Sequence, residues 1–294
     1  MKLSTQTSYV IAKYGMEEGI RMLAKAGYDA IDYSFFDLND ESSPWLQDDW
    51  RERAVRAKEV AAECGITIDQ AHAPFHTSGI APGYDEKMMG RILRSMEAAS
   101  IMGVHDIVVH PRQQLQYVKG GNAGQLFEEN VALYKSLIPY CEKWNIRVCA
   151  ENMWQYDDKR KVIIYSICAQ PAEFAALLDA VDSPWIVGCL DIGHCGIVSV
   201  DPAEAIRTLG RDRLKALHVH DVDYVNDSHN MPFVEKLDWT SITDALAEIG
   251  YDGNFTFEAD AFLWPFPLPL LPDAIGFMVK VGKYLAGEVE NKKQ

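Results

Sequence analysis

The sequence predicts an α/β protein, a single (β/α)₈ barrel running over all 294 residues. Three observations lead there. Short β-branched runs alternate with longer amphipathic segments from end to end, eight of each. An open doubly wound sheet would usually carry a glycine-rich phosphate turn after an early strand, and none is present. Ionisable side chains collect at the ends of the strands, where a barrel places its working residues.

Taken in order, the first strand is expected at 2–9 and is followed by a helix near 16–26 that Gly27 closes. Strand 28–33 leads to a helix at 51–64 closed by Gly65, and strand 66–72 leads to a helix at 85–102. Strands 106–110 and 146–151 precede helices at 124–144 and 170–181. Strand 186–191 precedes a helix at 202–209, opened by Asp201 as N-cap with Pro202 in the first turn. Strand 214–220 is followed by a helix at 239–249 that ends at Gly250, and strand 254–258 by a helix at 273–287. The Asp/Ser/Pro-rich 37–49 and Gly-rich 119–124 read as long loops over one end, and "FLWPFPLPLLP" (262–272), broken by four prolines, as another. No linker or low-complexity tract suggests a domain boundary.

With 48% hydrophobic residues the chain can bury a large core. A net charge of −15 repels phosphate backbones at long range and argues against nucleic acid as a partner. The amino terminus lacks the apolar region of a signal peptide, and no run approaches membrane-spanning length. The six cysteines form no C-x-x-C pair, so reduced thiols and a cytoplasmic location are expected.

The strand ends carry the chemistry. Strand three ends in His72, strand four in His110 and strand five in Glu151. Strand six gives Asp191 and then His194; strand seven gives His218 and His220, with Asp227 and His229 in its loop; strand eight ends in Glu258. Carboxylates and imidazoles converging on one low-dielectric mouth need a cation to offset them. A mixed nitrogen and oxygen set suits Mn²⁺, Co²⁺, Zn²⁺ or Fe²⁺ better than a purely oxygen-seeking ion. Singly, each residue has an ordinary reading as a cap, a core group or a salt-bridge partner; six strand ends together point to a metal site. His76 and His105, off the strand ends, keep the ordinary reading, and Asp221 and Asp223 read as solvated loop charges.

These residues lie in "AHAP" (71–74), "VVHP" (108–111), "AENM" (150–153), "LDIGH" (190–194), "HVHD" (218–221), "DSH" (227–229) with "DW" (238–239), and "FEAD" (257–260). In those motifs the chain resembles the xylose isomerase-like barrel superfamily, which includes sugar and sugar-phosphate isomerases and epimerases, inosose dehydratases and apurinic endonucleases of the endonuclease IV type. The resemblance implies one divalent metal held by Glu151, Asp191, a strand-seven histidine and Glu258. Aligned to the family's H-x-N-D pattern, that histidine is His218 and His220 takes the Asn position. The trinuclear zinc endonucleases of the same superfamily use a larger set, and His72, His110, His194, Asp227 and His229 are its counterparts here.

For function the resemblance implies a metal-dependent isomerase or epimerase of a sugar, sugar phosphate or polyol ketone, with Glu151 and Glu258 as acid/base pair and an enediolate as intermediate. Dehydration of the same intermediate, and a multinuclear zinc phosphodiesterase, are the alternatives. His194 would bind a substrate hydroxyl, and His72 and His110 sugar oxygens or a second metal. Trp154 and Trp264 would wall an apolar sugar face, or the aromatic 262–266 loop would form a homo-oligomer contact. Arg112, Lys119 and Lys159–Lys161 would be the candidates to receive a phosphate. One departure stands out: "NMPFVEKLDW" (230–239) lacks the glycines relatives commonly carry after the His229 position.

Overall fold

Alternation with period two decides which side chains fill a strand ring, and here the even or odd positions of each strand turn inward together. The structure is a computed structural model and describes residues 1–293. In chain order its strands are β1 (Leu3–Thr5), β2 (Ala30–Ser34), β3 (Thr67–His72), β4 (Asp106–Val108), β5 (Arg147–Glu151), β6 (Trp154–Asp157), β7 (Val162–Tyr165), β8 (Ile186–Asp191), β9 (Leu214–His218) and β10 (Phe255–Phe257). The helices are α1 (Ser8–Tyr14), α2 (Met16–Ala26), α3 (Trp50–Cys64), α4 (Tyr84–Met102), α5 (Ala123–Trp144), α6 (Pro171–Val181), α7 (Ile192–Ile197), α8 (Pro202–Arg213), α9 (Trp239–Glu248) and α10 (Leu271–Lys292).

Six strands pair in the order β2-β3-β4-β5-β8-β9, all parallel, and β1 pairs in parallel with β10. Parallel bridges from Gln6 to Asp32 and from Val219 to Phe257 join the two sets, so eight strands close a ring. This is the (β/α)₈ barrel the alternation predicts. Its bore is packed at mid-height by the small side chains Val108, Cys149, Val187, Cys189 and Ala216. Two residues further along the strands, the same inward parity delivers His110, Glu151, Asp191 and His218.

Local differences from the sequence reading have physical causes. The first strand was expected to reach residue 9, but Ser8–Tyr14 are helical. Ser8 and Tyr9 are held by the end of the neighbouring strand β10, where Ser8 Oγ (2.8 Å) and Tyr9 N (3.1 Å) both donate to Asp260 Oδ2. The loop after β5 folds into an antiparallel hairpin, β6 with β7. The 37–49 and 262–272 loops contain 3₁₀ turns at Phe36–Asn39, Pro44–Leu46, Asp260–Leu263 and Leu268–Leu270. All six cysteines are free thiols. Among the described residues no helix is long and apolar enough to cross a membrane.

Candidate metal centre

Glu151, Asp191, His218 and Glu258 end β5, β8 and β9 and follow β10, and each offers a ligand atom within 4.8 Å of the others. That spread is close to twice a metal–oxygen distance of about 2.0–2.2 Å. His218 Nδ1 lies 2.9 Å from Glu151 Oε1 and 3.1 Å from Glu258 Oε2, while its Nε2 is 3.3 Å from Asp32 Oδ2. It is therefore His218 that joins this group. His220 turns to a second one, with His194, Asp227 and His229. A third group, His72, His110 and Glu151, shares the glutamate with the first.

The imidazoles are held by the backbone on their outer side. Nδ1 of His72 sits 2.7 Å from Ala73 O, Nδ1 of His194 2.8 Å from Asn152 O, and Nδ1 of His229 2.9 Å from Glu258 O. Donation to those carbonyls leaves Nε2 facing the cluster, the orientation in which metal-ligating histidines are held. Two buried side-chain atoms of these groups also lack hydrogen-bond partners, Asp227 Oδ1 and His220 Nδ1, while Glu151 Oε2 has only the imidazole nitrogen of His110 at 2.9 Å. Unpaired buried polar atoms are costly. Together with the mixed N/O donors, they fit a divalent ion of the Mn²⁺, Co²⁺, Zn²⁺ or Fe²⁺ kind.

Electrostatics follows the same pattern. Burial works against the charge on Glu151, yet His218 and His110 beside it hold its carboxyl well below the usual range. Glu258 is lowered too, burial being outweighed by His218 and His229. Burial disfavours the charged form of His229, but Asp227 raises its imidazole to about 10. His110 goes the other way, lowered chiefly by burial.

Asp191 organises two groups at once. Its Oδ1 caps α7 by accepting from His194 N at 2.6 Å, and it accepts from His220 Nε2 at 2.9 Å. Asn152 clamps its backbone on both sides, with Asp191 N donating to Asn152 Oδ1 (2.7 Å) and Asn152 Nδ2 donating to Asp191 O (2.9 Å). The His220 ring lies flat against Gly193: a Cβ built there would come within 2.0 Å of His220 Cε1. The glycine of "LDIGH" is thus required by a histidine on the next strand. Gly193→Ala is expected to push His220 off Asp191, lowering stability by about 1–3 kcal/mol as overpacking does and reducing bound metal. An unchanged melting temperature with unchanged metal content would contradict this.

The ring opens into a cavity of about 750 Å³ lined by His72, His110, Glu151, His194, Asp227, His229 and Glu258. Trp154 and Trp264 line it as well. Trp154 does more than wall the space, because its Nε1 donates to Asp227 Oδ2 at 2.9 Å. Arg112 corrects the sequence reading. It does not line the cavity; its guanidinium pairs with Asp85 at 3.2 Å, because the chain turns outward after Pro111 and Asn130 takes the Arg112 amide. Asp221 is also corrected: it is fully buried and accepts from Glu235 N, Leu237 N and Trp239 Nε1, pinning the loop after β9. Asp223 is half-buried and caps its own turn. In that loop Phe233 takes a φ of 74°, a left-handed conformation usually left to glycine.

Sequence reading missed Asp32, Asn152, Asp260 and the cavity-lining His76. Asp32 had a signal, a carboxylate inside the apolar second strand, whereas Asn152 and Asp260 stand next to strand-end residues already singled out.

Several known proteins are similar to this chain in sequence or fold. A mannonate dehydratase of Thermotoga neapolitana is 23% identical over 259 residues, spanning 84% of this chain and 66% of that protein. A solved D-tagatose 3-epimerase-like protein superposes with a TM-score of 0.77 at 18% identity, covering 100% of both chains. D-psicose 3-epimerase, solved in the presence of D-fructose, gives 0.74 at 17% identity over 98% of this chain and 100% of its own. At these identities the structural likeness is one of fold. A family model described as xylose isomerase-like TIM barrel matches residues 20–280. Matched over nearly its whole length, the chain belongs to the xylose isomerase-like TIM barrel family.

Proposed function

We propose that the protein is a divalent-metal-dependent isomerase or epimerase of a sugar or polyol ketone. The observation that carries this reading is the pair Glu151 and Glu258. Coming from β5 and from the end of β10, with β8 and β9 between them in the ring, they converge on one imidazole nitrogen at 2.9 and 3.1 Å. A proton beside a carbonyl is too weakly acidic for a carboxylate alone. A divalent ion held by Glu151, Asp191, His218 and Glu258 supplies the Lewis-acid polarisation that makes it removable.

One carboxylate takes the proton from the carbon and leaves an enediolate; the other returns a proton from the opposite side. Return to the same carbon inverts it, and return to the neighbouring carbon isomerises the ketone. Loss of a hydroxyl from the same intermediate would be dehydration, the reaction named for the Thermotoga relative. His72, His110 and His194 line the cavity, where they are placed to bind hydroxyls. The epimerase names among the structural neighbours support a sugar-sized substrate.

A second reading, a multinuclear zinc phosphodiesterase, is favoured by one observation: four donor groups, two of them sharing Glu151, stand side by side. The net charge of −15 opposes it. Incubating metal-loaded protein with a ketose panel in D₂O should place deuterium on the carbon beside the carbonyl, read by NMR. Rapid incision of an abasic duplex with no exchange into any ketose would reverse the choice.

A further inference from the structure

The cavity beyond the ligand cluster is built for something other than a phosphate or a hydroxyl-rich chain. No Lys or Arg lines it. Of the basic residues a phosphate could use, Lys119 and Lys159 do not line the cavity, and three others are paired elsewhere. Arg112 pairs with Asp85, and Arg160 and Lys161 pair with Asp157 and Asp158 at the tip of the β6–β7 hairpin. Lys13 Nζ lies 5.2 Å from the ring centre of Tyr9, a wall residue, but Lys13 does not itself line the cavity. The charges that do face the cavity include the carboxyls of Glu151, Asp227, Glu258 and Asp260. A phosphate or carboxylate away from the ligand cluster would meet these carboxylates and no lysine or arginine among the lining residues.

Three of the polar side chains there are also engaged. Gln155 Nε2 donates to Tyr117 O and Tyr165 O, and its Oε1 accepts from Tyr117 N. Gln113 Nε2 donates to Trp154 O and Ser166 Oγ. Ser8 Oγ is held by Asp260 at 2.8 Å. Gln6 and His76 add polar lining, and much of the remaining wall is aromatic. Phe36 and Phe75 meet edge to face with centroids 4.9 Å apart, and Phe75 stacks on His110 at 5.3 Å. Phe36 also meets His72 at 4.9 Å, so this wall runs from the ligand cluster outward. Tyr9, Met153 and Trp264 line the same space, and Trp264 is 65% exposed.

We propose, resting on the isomerase reading, that the substrate is an unphosphorylated sugar or polyol ketone bearing an apolar, aromatic-sized substituent that this wall receives. Burying a ring of that size is worth about tenfold to a hundredfold in affinity.

The test uses the Mn²⁺-loaded protein and D-fructose derivatives that keep the carbonyl and differ at one oxygen: D-fructose, its 1-O- and 6-O-benzyl ethers, and D-fructose 6-phosphate. Binding is read by calorimetry and proton exchange by NMR in D₂O. At least one benzyl ether should bind about tenfold to a hundredfold more tightly than D-fructose, and the phosphate more weakly than D-fructose. In Trp264→Ala or Phe36→Ala the benzyl advantage should shrink toward one. A benzyl ether no better than D-fructose, or a phosphate that binds best, overturns the inference. Absence of exchange in every compound sinks the proton-transfer reading instead, while the calorimetric order still decides this one.

Discussion

Asp191→Ala protein is expected to purify without stoichiometric metal and without activity. Asp191 is fully buried, and its carboxylate, a member of one donor group, also accepts from His220 of another. Removing it deletes one of four proposed ligands and strands His220 Nε2 in the bore. Loss of an outer partner commonly lowers metal affinity about 10–100-fold, and loss of a direct ligand should exceed that. The α7 cap goes with it, costing about 0.5–2 kcal/mol, so a melting curve on the variant separates metal loss from unfolding. Full metal occupancy in a folded Asp191→Ala protein would remove Asp191 from the site. The paired comparison is His218→Ala against His220→Ala: the first should lose the ion held with Glu151 and Glu258, and the second should keep more of it. The reverse order would exchange their roles.

Glu258→Gln is expected to separate binding from chemistry. An amide oxygen still coordinates, and the position is held by the main chain, with Glu258 N donating to Val219 O at 3.1 Å and Glu258 O accepting from His229 Nδ1 at 2.9 Å. Most of the metal should therefore remain. An amide cannot take or return a proton, so exchange into substrate should fall by about 10²–10⁴. Elemental analysis and the rate of deuterium incorporation read the two effects independently. Exchange at the parent rate would show that Glu258 is not one of the two bases.

Much of the barrel could be read in advance because its cause is local. A strand alternates its side chains whatever surrounds it, so Cys149 before Glu151, Cys189 before Asp191 and Ala216 before His218 already announce an inner face ending in a ligand type. Helix stops at Gly27, Gly65 and Gly250 are local for the same reason, each with φ between 64° and 104°. The first helix was not legible: Ser8–Tyr14 carries Tyr, Val and Ile, a strand-like composition, and its placement depends on a carboxylate 252 positions away.

What alternation leaves open is partnership. His218 and His220 both turn inward by parity, yet one meets Glu151 and the other Asp191, because ring closure sets the height and rotation of β9 against β5 and β8. Arg112 reads as a free cation until Asp85 is found beside it, and Asp221 as a solvated charge until the loop after β9 wraps over it. Residue type and strand parity are properties of a few neighbouring positions and survive in one dimension. Which donors share a point, which cations are already spent and where an aromatic wall stands depend on contacts between distant segments, and these exist only once the barrel is closed.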